Sequence, residues 1–276
     1  MKQEKHISNE LSIKGSPPFG GVGGGLTFLG TGTSNGVPVL GCNCDICTSK
    51  DPRDNRLRTS ALLETANTRI VIDSGPDFRQ QMLPQAFRKI DGLLITHIHY
   101  DHVGGIDDVR PYCTLGDIEV YANENTCNGL RHNFPYCFTD NPYLGVPKLN
   151  LHSIQPHIPF MIGDIEVTPI EVMHGELPIL GYRFGKLVYI TDMKAIRDEE
   201  LTYLEGIETL VVNALRWERE HHSHQLISEA INFSRKIGAK RTYLTHLTHK
   251  IGLHEEAQKQ LPKDVFFAYD GLKIEI

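Results

Sequence analysis

Between His97 and His102 the chain packs three imidazoles and a carboxylate, as His97-x-His99-x-Asp101-His102 in the stretch THIHYDHVGG. The apolar run GLLIT just before it predicts a strand. Four titratable groups at the end of a buried strand carry a large desolvation cost unless something binds them, and a metal cation is the natural occupant. In extended chain alternate residues share a face, so His97 and His99 can address one ion. The chain must then turn to aim Asp101 and His102 elsewhere, and Gly104 and Gly105 permit that turn. Two ions fit this pattern better than one.

Other apolar runs end in the same residue types: EVMHG offers His174, LVYITD offers Asp192 and RTYLTH offers His246. Singly, each reads as a surface or turn residue. Together they recur at the carboxyl ends of strands, where side chains from distant stretches converge and sites are built. A consistent partition puts His97, His99 and His174 on one ion and Asp101, His102 and His246 on the other. Asp192 bridges them, because a carboxylate has two oxygens to share.

Strand-like runs of four to eight residues fill most of the chain: LTFLG, SALLET, RIVID, GLLIT, IEVYA, IEVTPIEV, GYRFG, LVYIT, TLVVNA, RTYLT, VFFAYD and LKIEI. After Ser223, Leu226, Ala230, Phe233 and Ile237 recur at helical spacing, with Gly238 as a stop signal. Arg197 to Leu204 and Leu253 to Gln260 are weaker helical stretches. The segment from Cys113 to Tyr143 reads as a short helix and a long loop. Early runs of strands followed by alternation with helices predict a layered α/β architecture of two helix-covered sheets. Residues 1–24 end in SPPFGGVGG and read as a flexible extension, leaving 25–276 as one domain. That lead has no apolar core of the signal-peptide type, so the chain reads as cytoplasmic with no membrane partner. Its 28 Lys and Arg against 34 Asp and Glu, a formal charge of -6, argue against nucleic acid as a partner.

A cytoplasmic reading bears on the six cysteines, since thiols there stay reduced and a tight cluster points to metal. Cys42, Cys44 and Cys47 stand in C-x-C-x-x-C spacing, enough for three corners of a tetrahedral structural zinc. His249, three residues beyond His246, is well placed as the fourth. Reduced buried thiols or a redox pair are the alternative. Cys113, Cys127 and Cys137 show no such spacing.

The H-x-H-x-D-H stretch, with His174, Asp192 and His246 following in order, resembles the hallmark of the metallo-β-lactamase superfamily. The resemblance runs from LTFLGTGTSNG to the C-terminus and implies a four-layer αββα sandwich with a two-metal site on the shared edge of its sheets. FLGTGTSNGVPVLGCNCDIC, SGPDFR and the closing THLTH resemble the PhnP-like phosphodiesterase branch, in which three early cysteines and a late histidine hold an extra zinc. The resemblance also suggests a homodimer.

The expected activity is hydrolysis of a small or cyclic phosphodiester. Two divalent ions, zinc or manganese, lower the pKa of a bridging water, and the hydroxide attacks phosphorus. HHSHQLISEA supplies His221, His222 and His224 for the leaving group's proton. By analogy with the family's general acid His224 is chosen, with its pKa depressed by the following helix, and the other two read as solvated loop residues. Asp101 counts among the catalytic residues as well as the ligands. Asp73 and Asp77 read as supports for the site or its turns. Thr31, Ser34 and Asn35 in GTGTSNG are candidates for bonding substrate. A tRNA 3′-processing endonuclease, a thioester or lactone hydrolase, and an inert metal-binding protein are the alternatives.

Overall fold

A computed structural model describes residues 24–138 and 145–276. The expected extension over 1–24 lies outside the described residues except for Gly24, as do residues 139–144 of the Cys113 to Tyr143 segment.

Fourteen strands are described. β1 (Gly25–Gly30), β2 (Ser60–Glu64), β3 (Arg69–Ile72), β4 (Gly92–Leu94), β5 (Ile118–Ala122), β6 (Leu149–Ser153) and β14 (Lys273–Glu275) form one sheet in the order β14-β1-β2-β3-β4-β5-β6. β7 (Phe160–Ile162), β8 (Ile165–His174), β9 (Leu177–Phe184), β10 (Leu187–Ile190), β11 (Thr209–Asn213), β12 (Arg241–Thr245) and β13 (Val265–Phe267) form the other in the order β13-β12-β11-β10-β9-β8-β7. Every strand expected from the sequence is present. β6 and β7 were not expected, because these edge strands carry exposed residues among half-buried ones, with Ile162 alone buried, and lack a long apolar run.

The two sheets pack face to face. Between them lie Ala61, Leu63, Ile70 and Ile72 of the first sheet and Tyr182, Phe184, Tyr189 and Val211 of the second. Because side chains alternate along a strand, Leu62, Val71, Leu93 and Val120 face outward. They are covered by Phe78 and Met82 of α1 (Phe78–Met82), Leu130 of α3 (Glu124–Asn133) and a 3-10 turn over Ile106–Leu115. On the far side Val188, Ile190, Leu210, Val212 and Leu244 pack under Ala230 and Phe233 of α4 (Ile227–Lys236) and Ala257 of α5 (His254–Gln258). Helix, sheet, sheet, helix is the four-layer α/β sandwich expected.

Runs apolar on both faces are what a twice-covered sheet requires. The Arg197 to Leu204 stretch forms a 3-10 turn over Asp198–Leu204, and β5 and α3 occupy about half of the Cys113 to Tyr143 segment, read as a short helix and a loop. No described helix is long and apolar enough to cross a membrane.

Strand direction positions the site. β10, β11 and β12 are parallel, and β8 runs with them because both it and β10 are antiparallel to β9. Their carboxyl ends therefore open on one edge of the sandwich.

Candidate functional site

His97 and His99 follow β4, His99 serves as N-cap of α2 (Tyr100–Val103), and that single turn of helix carries Asp101 and His102. The turn expected from the two glycines is this short helix. His174 ends β8, Asp192 lies two residues beyond β10, and His246 lies one beyond β12. Asp73, Asp192 and His246 adopt left-handed backbone, with φ of 60°, 57° and 56°. Few non-glycine residues do so, and Asp and His tolerate it better than most. The kink turns each side chain off its strand and into the site.

The seven residues expected to gather do gather. Ligand atoms of His97, His99 and His174 lie within 4.8 Å of one another, as do those of Asp101, His102 and His246, and those of His97, His102 and Asp192. Asp192 thus adjoins both triads: its carboxylate is 3.3 Å from His102 Nε2 and 3.1 Å from His246 Nε2 in one, and it groups with His97 of the other.

Hydrogen bonds fix which ring nitrogens face inward. His102 Nδ1–H donates to Asp73 Oδ2 at 2.7 Å, which leaves Nε2 bare. His174 Nδ1–H is shared by the carbonyls of Asp192 and Ser223 at 2.7 and 2.9 Å. Thr96 Oγ1 donates to Asp73 and so accepts from His97 Nδ1–H at 3.0 Å. His97 Nε2 then points at His99 Nδ1, 3.0 Å away. Outer partners of this kind set the tautomer of metal-ligating histidines.

Apart from exposed His99 and half-buried Asp101 the seven donors are buried, and several polar atoms of the site are not satisfied by protein. His102 Nε2, both ring nitrogens of His246 and His224 Nδ1 have no hydrogen-bond partner. Burial holds His97 well below, and His99 below, the usual imidazole range. Burial pushes Asp192 and Asp101 up, but His246 and His102 beside Asp192, and His102 beside Asp101, outweigh it and keep both carboxyls low. For His102, three carboxylates overcome burial and raise it. Ionised carboxylates beside imidazoles that turn a ring nitrogen inward form a donor set that a divalent cation fits, and a bound cation would take the place of the proton that the carboxylates favour on His102.

The second cluster stands apart. His249 Nδ1 lies 3.4, 3.4 and 3.2 Å from Sγ of Cys42, Cys44 and Cys47. The Cys47 backbone N–H draws the Cys44 thiol down to about 6, while burial pushes Cys47 up to about 11. Cys127 and Cys137 are buried and outside the cluster. His246 and His249 leave the same strand end, so the two groups share one support.

A cavity of about 770 Å³ opens over the site, lined by His99, Asp101, His174, Asp192 and His246 and also by Ser34, Glu176, Lys194, His221, His222 and His224. His221 and His222 lie on a loop, as read, His222 exposed and His221 half-buried, and that loop forms part of the cavity wall. The segment folds back because Leu215 N–H donates to Gln225 and Ile227 N–H to Arg216, at 2.9 and 3.0 Å. His224 Nδ1 is 3.5 Å from Asp192 Oδ1. Its pKa falls to about 2, as a low value was expected, but burial and then His246 are the main causes, rather than the helix. His224 stands two residues before the N-cap of α4, outside the first turn where a dipole acts.

Thr31 is buried and bonded to Asp270 and Arg56, so only Ser34 of its loop lines the cavity. Asp73 supports the site as read, and Asp77 holds Arg58. Gly75 was missed: a Cβ there would lie 2.1 Å from the carbonyl oxygen of Asp101, so only glycine lets α2 sit where it does. Lys194 and Glu176 carried no signal, since nothing local in the sequence marks a lone charge as facing a cavity.

Residues 68–247 match a family described as the beta-lactamase superfamily domain. The crystal structure of a new diphosphatase from the PhnP family superposes with a TM-score of 0.85 at 39% identity, covering 92% of this chain and 97% of that one. An octanoyltransferase of Porphyromonas gingivalis is 46% identical over 247 residues, 89% of this chain, yet the chain spans only 50% of that protein. A ribonuclease Z of Methanopyrus kandleri is 25% identical over 91% of this chain and 97% of its own length. With the family match spanning most of the chain and the solved relative aligned almost end to end, the chain belongs to the beta-lactamase superfamily and, within it, to the PhnP family.

Proposed function

We propose that the protein is a metal-dependent phosphodiesterase that hydrolyses a small or cyclic phosphodiester. The observation that carries this reading is two neighbouring donor triads joined by Asp192, under a cavity whose wall holds His224. His97, His99 and His174 would hold one divalent ion and Asp101, His102 and His246 the other, with Asp192 shared. Zinc and manganese both suit such donors, and Cys42, Cys44, Cys47 and His249 would hold a structural zinc. Bound divalent ions supply Lewis-acid polarisation of the phosphoryl oxygens and bring water within reach of deprotonation at neutral pH.

The chain's own residues do the rest. Asp73 and Thr96 keep His102 and His97 in the tautomer that leaves Nε2 free. His224 stands beside Asp192 and is neutral when the cavity holds no anion. An anionic substrate next to its ring favours the imidazolium, so His224 can carry a proton to the departing alkoxide.

The relative called a diphosphatase, aligned over nearly its whole length, supports phosphate-ester chemistry. The octanoyltransferase weighs less, because half of that protein has no counterpart here. A nuclease reading draws on the ribonuclease Z relative, but the net charge of -6 and a cavity with a single Lys or Arg among its described lining favour a small substrate.

The test is hydrolysis of bis-p-nitrophenyl phosphate and cyclic nucleotides by protein loaded with zinc or manganese. Turnover that disappears in Asp101→Ala, while the circular dichroism spectrum stays native, is expected. A fully metal-loaded sample that cleaves no phosphodiester refutes the reading.

A further inference from the structure

The loop between β11 and α4 carries His221, His222 and His224 to the cavity wall and has no strand or helix of its own. Two residues fasten it to a single 3-10 turn, His249–Ile251, which follows β12. Thr248, the N-cap of that turn, accepts the Lys250 N–H on Oγ1 at 3.2 Å. It donates the same hydroxyl and its own N–H to the Leu215 carbonyl, at 2.8 and 3.1 Å. Trp217 is the other fastening, its Nε1–H reaching the Ile251 carbonyl at 2.8 Å. Leu215 N–H in turn donates to Gln225, the neighbour of His224, at 2.9 Å. The turn is also attached elsewhere: its first residue is His249, whose Nδ1 lies 3.2–3.4 Å from the three thiols of Cys42, Cys44 and Cys47. A lone 3-10 turn has poor hydrogen-bond geometry and takes its shape from what holds it. The side chain that completes the thiol cluster and the bonds that fasten the His224 loop thus belong to one short turn.

We propose that Thr248 and Trp217 are positioning residues that make the placement of His224 depend on the site formed by Cys42, Cys44, Cys47 and His249. With that site occupied, His249 is held against the thiols, the turn keeps its shape and the loop stays fastened. This rests on the phosphodiesterase reading, in which His224 hands a proton to the departing alkoxide, and gives the thiol site a role in that step. A cluster serving only to stabilise the fold would make the same contacts, so the test must separate placement of the acid from a general loss.

Trp217 is the only tryptophan in the chain, so its fluorescence reads the link without turnover. Its ring is half-buried and meets Phe267 edge-on at 6.0 Å. The emission is expected to move to longer wavelength in Thr248→Val, and in His249→Ala once elemental analysis confirms the lost zinc. In Thr248→Ser, which keeps the hydroxyl, it stays at the wild-type position. Turnover supplies the second readout, because a poor leaving group needs the acid and a good one does not. Cleavage of adenosine 2′,3′-cyclic phosphate expels an alkoxide. In His249→Ala and Thr248→Val it is expected to fall by about tenfold more than cleavage of bis-p-nitrophenyl phosphate, within the roughly 10²–10⁴-fold that general acid–base catalysis supplies. Thr248→Ser retains the wild-type ratio. Emission unmoved in His249→Ala after its zinc is lost, equal losses on both substrates, or a Thr248→Ser variant that behaves as Thr248→Val overturns the proposal. Metal-loaded wild-type protein that cleaves neither substrate refutes the phosphodiesterase reading, and the emission then still decides whether turn and loop are linked.

Discussion

Replacing Asp73 by asparagine tests how the paired donors are held. Asp73 is fully buried and touches no candidate ion position directly. Its Oδ2 accepts His102 Nδ1–H at 2.7 Å and Thr96 Oγ1–H at 2.9 Å, and its Oδ1 accepts Thr96 N–H at 2.8 Å. Asparagine tolerates the φ of 60° as aspartate does, so backbone strain does not change. It has one carbonyl oxygen, however, and its amide must face a donor on one side or the other.

If the oxygen faces His102, the Thr96 N–H meets an NH₂ group, and an unsatisfied buried donor costs about 1–3 kcal/mol. If it faces Thr96, His102 must surrender its Nδ1 proton, and the proton then carried on Nε2 blocks the ligand position. Loss of an outer partner of this kind lowers metal affinity by about 10–100-fold, or about 1.4–2.7 kcal/mol.

Two measurements separate these terms. Competition against a chromophoric chelator reads the affinity of the paired site. Thermal unfolding in excess chelator reads the fold alone, where about 1–3 kcal/mol corresponds to a drop of roughly 2–12 °C. A variant that binds both ions within about twofold of wild type would refute the idea that Asp73 sets the His102 tautomer.

Gly75→Ala drives a methyl group against the Asp101 carbonyl, 2.1 Å away; it should destabilise the protein by about 1–3 kcal/mol in urea and weaken binding of an ion at Asp101 and His102. His249→Ala should lower the zinc content by one equivalent per chain, measured by elemental analysis, while the paired site keeps its ions; unchanged zinc would refute the four-residue site. His254, 4% exposed, is drawn down to about 4 by burial and Arg56, against 6.5 for the free side chain. Between those values the unfolded chain binds the extra proton and the folded chain does not, so stability at this site is full above about pH 6.5 and is lost as pH falls through 4. The loss is of the order of 3 kcal/mol. His254→Gln keeps an acceptor for Arg56 and should flatten urea stability between pH 7 and 4; an unchanged slope refutes the assignment.

The strand runs were legible because both faces of each sheet are covered, which forces apolar residues at nearly every position. The short helix carrying Asp101 and His102 was not, since four residues give no periodicity and Gly75 acts on it from a distant segment. The H-x-H-x-D-H cluster was legible because its donors are adjacent in sequence. His174, Asp192 and His246 could be singled out only as strand ends, and strand direction then brought them together. The helix expected to depress His224 begins too late to do so, because its N-cap falls at Leu226.

The sequence by itself determined which chemistry the chain could hold, because ligand atoms and thiols are properties of residue type and close spacing. It also determined the layered architecture, because burial on both faces leaves its mark on every strand but the edge strands β6 and β7. Only the tertiary structure decided which imidazole nitrogen faces the site, which loop histidines reach the cavity and where the one lysine stands. Those depend on hydrogen bonds and contacts between segments tens to hundreds of residues apart, which no local pattern encodes.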